Sequence, residues 1–161
     1  MIKIAIVEDN ATTREVLRSV IEECPDYACV GVFGTAEEAL LRLPKRLPDV
    51  VLMDIQLPNM SGIECVSQLK KMFPQMLVIM VTVYEDPDRV FSALRAGASG
   101  YLLKRSAPEG IIGAIREVSG GGGPMSGEIA RKVIEYFGRQ NTSAPEVDNL
   151  TSREKEVLDL V

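Results

Sequence analysis

Three carboxylates, one hydroxyl and one ammonium stand directly after short apolar runs. Glu8 and Asp9 follow Ile2–Val7, Asp54 follows Val50–Met53, Thr82 follows Met76–Val81, and Lys104 follows Gly100–Leu103. An isolated Asp or Lys in such a place is usually an ordinary loop residue. In an open parallel sheet, however, ligands bind at the carboxyl ends of the strands, so five such groups would meet at one edge. Clustered carboxylates repel one another unless a cation offsets them. Hard oxygen donors without His or Cys suit Mg2+. A carboxylate beside that metal can attack phosphorus and carry an acyl phosphate. A hydroxyl and an ammonium at the same edge would then contact the transferred phosphoryl oxygens.

The elements that must position these groups are legible. The runs Ile2–Val7, Ala28–Phe33, Val50–Met53, Met76–Val81 and Gly100–Leu103 recur at near-constant spacing. The first, third and fourth are nearly continuous, the mark of strands covered on both faces. Helices fill the gaps. Thr35-Ala36-Glu37-Glu38, Ser61-Gly62-Ile63-Glu64 and Ser106-Ala107-Pro108-Glu109 have capping-box spacing, and Asp86-Pro87 places a cap before a first-turn proline. Val16, Leu17, Val20 and Ile21 recur at helical spacing in the first helix, as do Val90 and Leu94 in the fourth. Five strand–helix units with right-handed crossovers predict an α/β fold, a doubly wound five-stranded parallel sheet.

Composition limits the alternatives. The 161 residues carry a net charge of −5, with 46% hydrophobic and 25% charged residues, which excludes wholesale disorder. The acidic balance argues against a surface that grips nucleic acid throughout. With no histidine in the chain, a phosphohistidine donor must be another molecule. Cys24, Cys29 and Cys65 lack metal-binding spacing and read as buried thiols in a reducing compartment. Neither a signal peptide nor a membrane-length apolar stretch is evident, so a cytoplasmic protein without membrane contact is expected.

Over residues 1 to about 120 the chain resembles the receiver domain of two-component response regulators. The resemblance rests on Glu8-Asp9, on Val51-Leu52-Met53-Asp54-Ile55-Gln56-Leu57-Pro58-Asn59-Met60-Ser61-Gly62, on Val81-Thr82, and on Gly97-Ala98-Ser99-Gly100-Tyr101-Leu102-Leu103-Lys104. It implies that Asp54 accepts a phosphoryl group from a sensor histidine kinase, with Thr82 and Lys104 assisting. It implies Mg2+ held by Asp9, Asp54 and the backbone carbonyl of Gln56, with Glu8 acting mainly through water. Thr82 and Tyr101 would be the switch pair, reporting to the face that carries the fourth and fifth helices. Gln56 and Tyr84, each two residues beyond a key position, would modulate how fast water reaches the acyl phosphate. Two departures stand out. The acidic pair is Glu-Asp rather than Asp-Asp, and Arg105 replaces the proline that more often follows the lysine. A cis bond before a non-proline residue costs about 3–4 kcal/mol, and the sequence leaves that bond's conformation open.

The remaining residues divide into a linker, 121–149, and a terminal segment, 150–161. Gly120–Gly123 and Pro124 break the helical pattern, and Ile129, Val133, Ile134 and Phe137 suggest one short helix. From Gly138 to Asn149 a flexible linker is expected. Leu150–Val161, with its Thr151-Ser152-Arg153-Glu154 capping box, resembles the opening of the LuxR-type helix-turn-helix of NarL/FixJ-class regulators. A recognition helix does not follow, so no DNA-binding residue is expected in residues 1–161, whereas a longer parent would bind DNA and control transcription. The alternative is a receiver acting through protein contacts alone. A metal-dependent phosphatase is disfavoured because Gln56 stands where a second acid is required. Flavin binding is disfavoured because no Gly-rich phosphate loop follows the first strand. The reading is therefore not of an enzyme beyond accepting and losing a phosphoryl group. Homodimerisation on phosphorylation could involve Ile112 or Ile115, although each more simply faces the sheet.

Overall fold

The computed structural model describes residues 1–106 and 108–147, with side chains described as far as residue 138. Strands β1 (Ile2–Val7), β2 (Tyr27–Phe33), β3 (Val50–Met53), β4 (Leu77–Thr82) and β5 (Gly100–Leu103) form one parallel sheet in the order β2-β1-β3-β4-β5. Between them run α1 (Ala11–Glu22), α2 (Ala36–Arg42), a 3-10 turn (Leu43–Lys45), α3 (Gly62–Met72) and α4 (Pro87–Ala96), followed by α5 (Pro108–Ser119). The doubly wound α/β sheet is therefore as expected. Strand β2 starts at Tyr27, and β4 sits one residue later than the apolar run, which makes Thr82 the last strand residue.

Burial explains the apolar runs. All four residues of β3 are buried, as are Ile4–Val7 and Val78–Thr82. On one side of the sheet Ile4, Ile6, Leu52, Ile79 and Val81 pack with Leu17 and Ile21 of α1 and with Ile111, Ala114, Ile115 and Val118 of α5. Each large aliphatic buried in this way contributes about 1.5–3 kcal/mol. The stripe read in α1 is narrower than its spacing suggests: Leu17 and Ile21 point inward, while Val16 is 53% exposed. Ile115 is fully buried and Ile112 is packed partly against the same cluster, so both face the sheet. Cys65 is buried, but Cys24 and Cys29 are only half-buried, because they lie near the exposed edge formed by the end of α1 and by β2.

The caps form at Thr35, Ser61 and Asp86, whose side chains accept from the amides of Glu38, Glu64 and Arg89. Asn10 caps α1 in the same way, accepting from Thr13 N at 2.9 Å. Each such cap is worth about 1 kcal/mol. The described part of α5 starts at Pro108, and the Ser106 hydroxyl just before it lies 3.3 Å from Ser126 Oγ.

The first compact unit spans Met1–Ser126 and so extends past residue 120. After α5 the chain turns back and residues 124–126 lie along the free edge of β5. Tyr101 N donates to Pro124 O (2.9 Å), Ser126 N donates to Tyr101 O (3.1 Å), and Leu103 N donates to Ser126 Oγ (3.0 Å). Gly100 permits this approach, since a Cβ there would lie 2.7 Å from Pro124 O. The segment satisfies backbone groups that an edge strand would leave unpaired.

The second unit starts at Gly127. Its helix α6 (Gly127–Val147) has 21 residues, longer than the short helix expected before a linker at Gly138. One glycine inside a helix costs only about 1 kcal/mol relative to alanine, and the helix formers Arg139 and Gln140 follow it. The segment 150–161, read as a helix-turn-helix start, lies outside the described residues. Among the described residues no helix is long and apolar enough to cross a membrane.

Candidate functional site

The carboxyl edge of the sheet gathers the residues singled out from the sequence. Backbone bonds just beyond the strands pin three of them. Glu8 N donates to Phe33 O (2.9 Å), Asp54 N donates to Val7 O (3.1 Å) and Lys104 N donates to Thr82 O (2.8 Å). Each of these three side chains thus leaves the sheet from a backbone already held by its neighbouring strand. Gly62, the first residue of α3, packs directly on this framework: a Cβ there would lie 1.8 Å from Asp54 O. Its N–H donates to Ile55 O at 2.9 Å, which ties the loop after Asp54 to the start of α3.

The carboxylates of Glu8, Asp9 and Asp54 each offer an oxygen, and these atoms lie within 4.8 Å of one another. Glu8 and Asp54 are buried and Asp9 is exposed. Lys104 Nζ sits 2.8 Å from Glu8 Oε1 and 3.0 Å from Asp54 Oδ2. The second is a well-formed hydrogen bond, whereas the first is a charge contact with poor hydrogen-bond alignment. The other Glu8 oxygen accepts from Asn10 N at 3.0 Å. Burial, with some help from the Asp54 charge, pushes the Glu8 carboxyl above its ordinary range, against the pull of Lys104 and of the Asn10 amide. For Lys104, burial acts to lower the value. Its close contact with Glu8, its hydrogen bond to Asp54 and the charges of both carboxylates outweigh that and hold the ammonium above its ordinary value.

Three hard oxygen donors around one point, with a single ammonium to offset them, fit a small divalent cation of the Mg2+ type. Thr82 Oγ1 is fully buried and has no hydrogen-bond partner among the described residues. A buried hydroxyl without a partner costs about 1–3 kcal/mol, so the arrangement is suited to a polar group arriving at this edge.

Gln56 and Tyr84 form the rim. Gln56 N donates to Asp54 Oδ1 (3.4 Å), and its side-chain oxygen accepts a short bond from the Tyr84 hydroxyl. Tyr101 is fully buried, and its hydroxyl donates to the Tyr84 carbonyl at 2.7 Å. Arg89, in the first turn of α4, lies over the Tyr84 ring with its guanidinium carbon 4.1 Å from the centroid. Sequence patterns single out neither Arg89 nor the Asn10 cap. An Asx residue just before a helix would have flagged Asn10, whereas the Arg89–Tyr84 contact depends on the path of a loop. Among the described residues every peptide bond is trans, that between Lys104 and Arg105 included.

A parallel sheet in this strand order, with an acidic carboxyl edge and a lysine just after its last strand, is the architecture of a receiver domain. The model of the response regulator receiver domain matches residues 4–116, and the chain belongs to that family. It is 38% identical over 159 residues to the transcriptional regulatory protein UhpA of Escherichia coli, covering 99% of this chain and 75% of that protein. It is 35% identical over 160 residues to the uncharacterized transcriptional regulatory protein YxjL of Bacillus subtilis, covering 98% of this chain and 73% of that protein. A solved LuxR-family two-component response regulator from an Aurantimonas species has a TM-score of 0.81 at 32% identity, over 85% of this chain and 98% of the other. The chain is thus a receiver of a two-component system with LuxR-family relatives.

Proposed function

We propose that Asp54 is the phosphoacceptor of this receiver. The observation that carries this reading is its carboxylate, buried within the oxygen cluster and bonded to Lys104, on the same sheet edge as the Thr82 hydroxyl, which has no hydrogen-bond partner among the described residues. In the reaction an Asp54 oxygen bonds to phosphorus. The bond from phosphorus to the nitrogen of a histidine on the kinase breaks, and its electron pair stays on the imidazole, which takes a proton from solvent. Lys104 and Thr82 then hold phosphoryl oxygens by charge and by hydrogen bond. Asp9, Asp54 and the backbone carbonyl of Gln56 would hold Mg2+, with Glu8 acting mainly through water. Bound there, the ion supplies charge neutralisation for the carboxylates and the incoming phosphoryl group. Thr82 and Tyr101 form the switch pair, and Gln56 and Tyr84 set the rate at which water reaches phosphorus.

Phosphorylation shifts an existing equilibrium rather than building a new fold. Its readout is transcription, through DNA binding by a longer form of the protein in the cytoplasm and through phosphorylation-dependent pairing of two copies. Residues 1–161 carry no DNA-binding residue in this reading. The transcriptional regulators to which the chain is similar support it. The test is incubation with acetyl phosphate, with Mg2+ or with a chelator, followed by intact mass and light scattering. Labelling only with Mg2+, accompanied by a rise in molecular mass to a dimer, is expected. Labelling that persists in chelator would contradict the metal assignment.

A further inference from the structure

We propose that Arg89 is a positioning residue for the phosphorylation site. It acts through Tyr84 and Gln56 to set the lifetime of the acyl phosphate, and the inference rests on the phosphoacceptor reading above. Val83, next to Thr82, is 61% exposed, so it does not anchor the loop that follows β4. That work falls to Tyr84, which is held at three points. Its hydroxyl donates to Gln56 Oε1, its carbonyl accepts from Tyr101 at 2.7 Å, and its ring face lies 4.1 Å from the Arg89 guanidinium carbon. The first two holds lead directly to the site, because Gln56 N donates to Asp54 Oδ1 and Tyr101 lies on the strand that precedes Lys104.

Arg89 is itself fixed by Asp86 through both carboxylate oxygens. One accepts from Arg89 Nη1 at 2.9 Å and the other caps α4 by accepting from Arg89 N at 3.2 Å. An exposed ion pair of this kind adds little stability by itself. Its effect is geometric: it places the guanidinium over a ring whose hydroxyl holds Gln56 beside Asp54. In hydrolysis, water oxygen bonds to phosphorus, the bond from phosphorus to the Asp54 oxygen breaks, and the electron pair returns to the carboxylate. The water's proton leaves with the phosphate or passes to solvent. Releasing Tyr84 frees Gln56 and opens the path for that water. Arg89 stands on the exposed first turn of α4, so a partner that engages it would change the lifetime of the signal.

The test is a decay series with the full chain. Protein is loaded with acetyl phosphate and Mg2+, the donor is removed, and the phosphorylated fraction is followed by intact mass. Melting curves confirm that each variant is folded. Arg89→Ala is expected to shorten the lifetime about two- to five-fold, the range a cation–π contact supports. Arg89→Lys should restore most of it. Asp86→Asn, which keeps the cap but drops the charge, should also shorten it. In a Tyr84→Ala background Arg89→Ala should change nothing further. Wild-type decay in Arg89→Ala, or the same factor with Tyr84 already removed, would overturn the role of Arg89. A wild-type chain that takes up no phosphoryl group would instead overturn the phosphoacceptor reading, and this inference with it.

Discussion

The hydroxyl of Tyr101, fully buried on β5, donates a 2.7 Å hydrogen bond to the backbone carbonyl of Tyr84 in the loop after β4. The strand leading to Lys104 is thereby tied to the loop that follows Thr82. Burial chiefly, with the charges of Asp86 and Asp54 against that of Arg89, raises the Tyr101 phenol above its ordinary value. A group whose folded value is raised contributes stability that is complete below the unfolded value, for tyrosine about 10, and is lost as pH climbs from there toward the folded value. Chemical unfolding across alkaline pH should therefore show stability falling above that point. Tyr101→Phe should flatten the fall. Some slope should remain, because burial also raises Tyr27.

Gly62→Ala should be among the most damaging single-methyl additions. The new Cβ would meet the Asp54 carbonyl at 1.8 Å, so the backbone beneath the carboxylate must move. Overpacking of this kind costs about 1–3 kcal/mol and occasionally more. A lowered melting temperature together with slower phosphorylation is expected. A wild-type melting temperature together with wild-type phosphorylation would show that the contact relaxes freely.

Lys104→Ala leaves Glu8 and Asp54 without the ammonium that lies 2.8 and 3.0 Å from them. In chelator the variant should be less stable by about 1–3 kcal/mol, the cost of buried charged groups that lose a partner. Removing the resident cation should also make the oxygen cluster a better host for Mg2+. Calorimetric titration is expected to give tighter Mg2+ binding than wild type. Weaker binding would mean that Lys104 organises the carboxylates rather than competing with the metal.

Ser126→Ala removes the acceptor of the Leu103 amide at the edge of β5. Hydrogen exchange at Leu103 should accelerate, with a loss of about 1 kcal/mol, while amides in β1 and β3 keep their protection.

The sheet was legible because its strands are apolar on both faces: Val50–Met53 is wholly buried, and its run of four could hardly be anything else. Thr35, Ser61 and Asp86 cap helices as their spacing implied, since a cap is local chemistry. Glu8, Asp9, Asp54, Thr82 and Lys104 reach one edge because parallel strands put all their carboxyl ends on the same side. Long-range placement was harder to read. Val16 has the spacing of a core residue, yet Leu17 and Ile21 take the inward face and leave it exposed. The pairing of residues 124–126 with β5 depends on how the chain turns after α5. Gly138 reads as a stop but lies inside α6, because one unfavourable residue does not outweigh its neighbours.

The most direct test of the account is intact mass after incubation with acetyl phosphate and Mg2+, comparing wild type, Asp54→Asn and Thr82→Ala. One added phosphoryl group in wild type, none in Asp54→Asn, and a reduced or shorter-lived adduct in Thr82→Ala are the predicted results. A phosphoryl group retained by Asp54→Asn at the wild-type level would contradict the assignment of Asp54 as the acceptor.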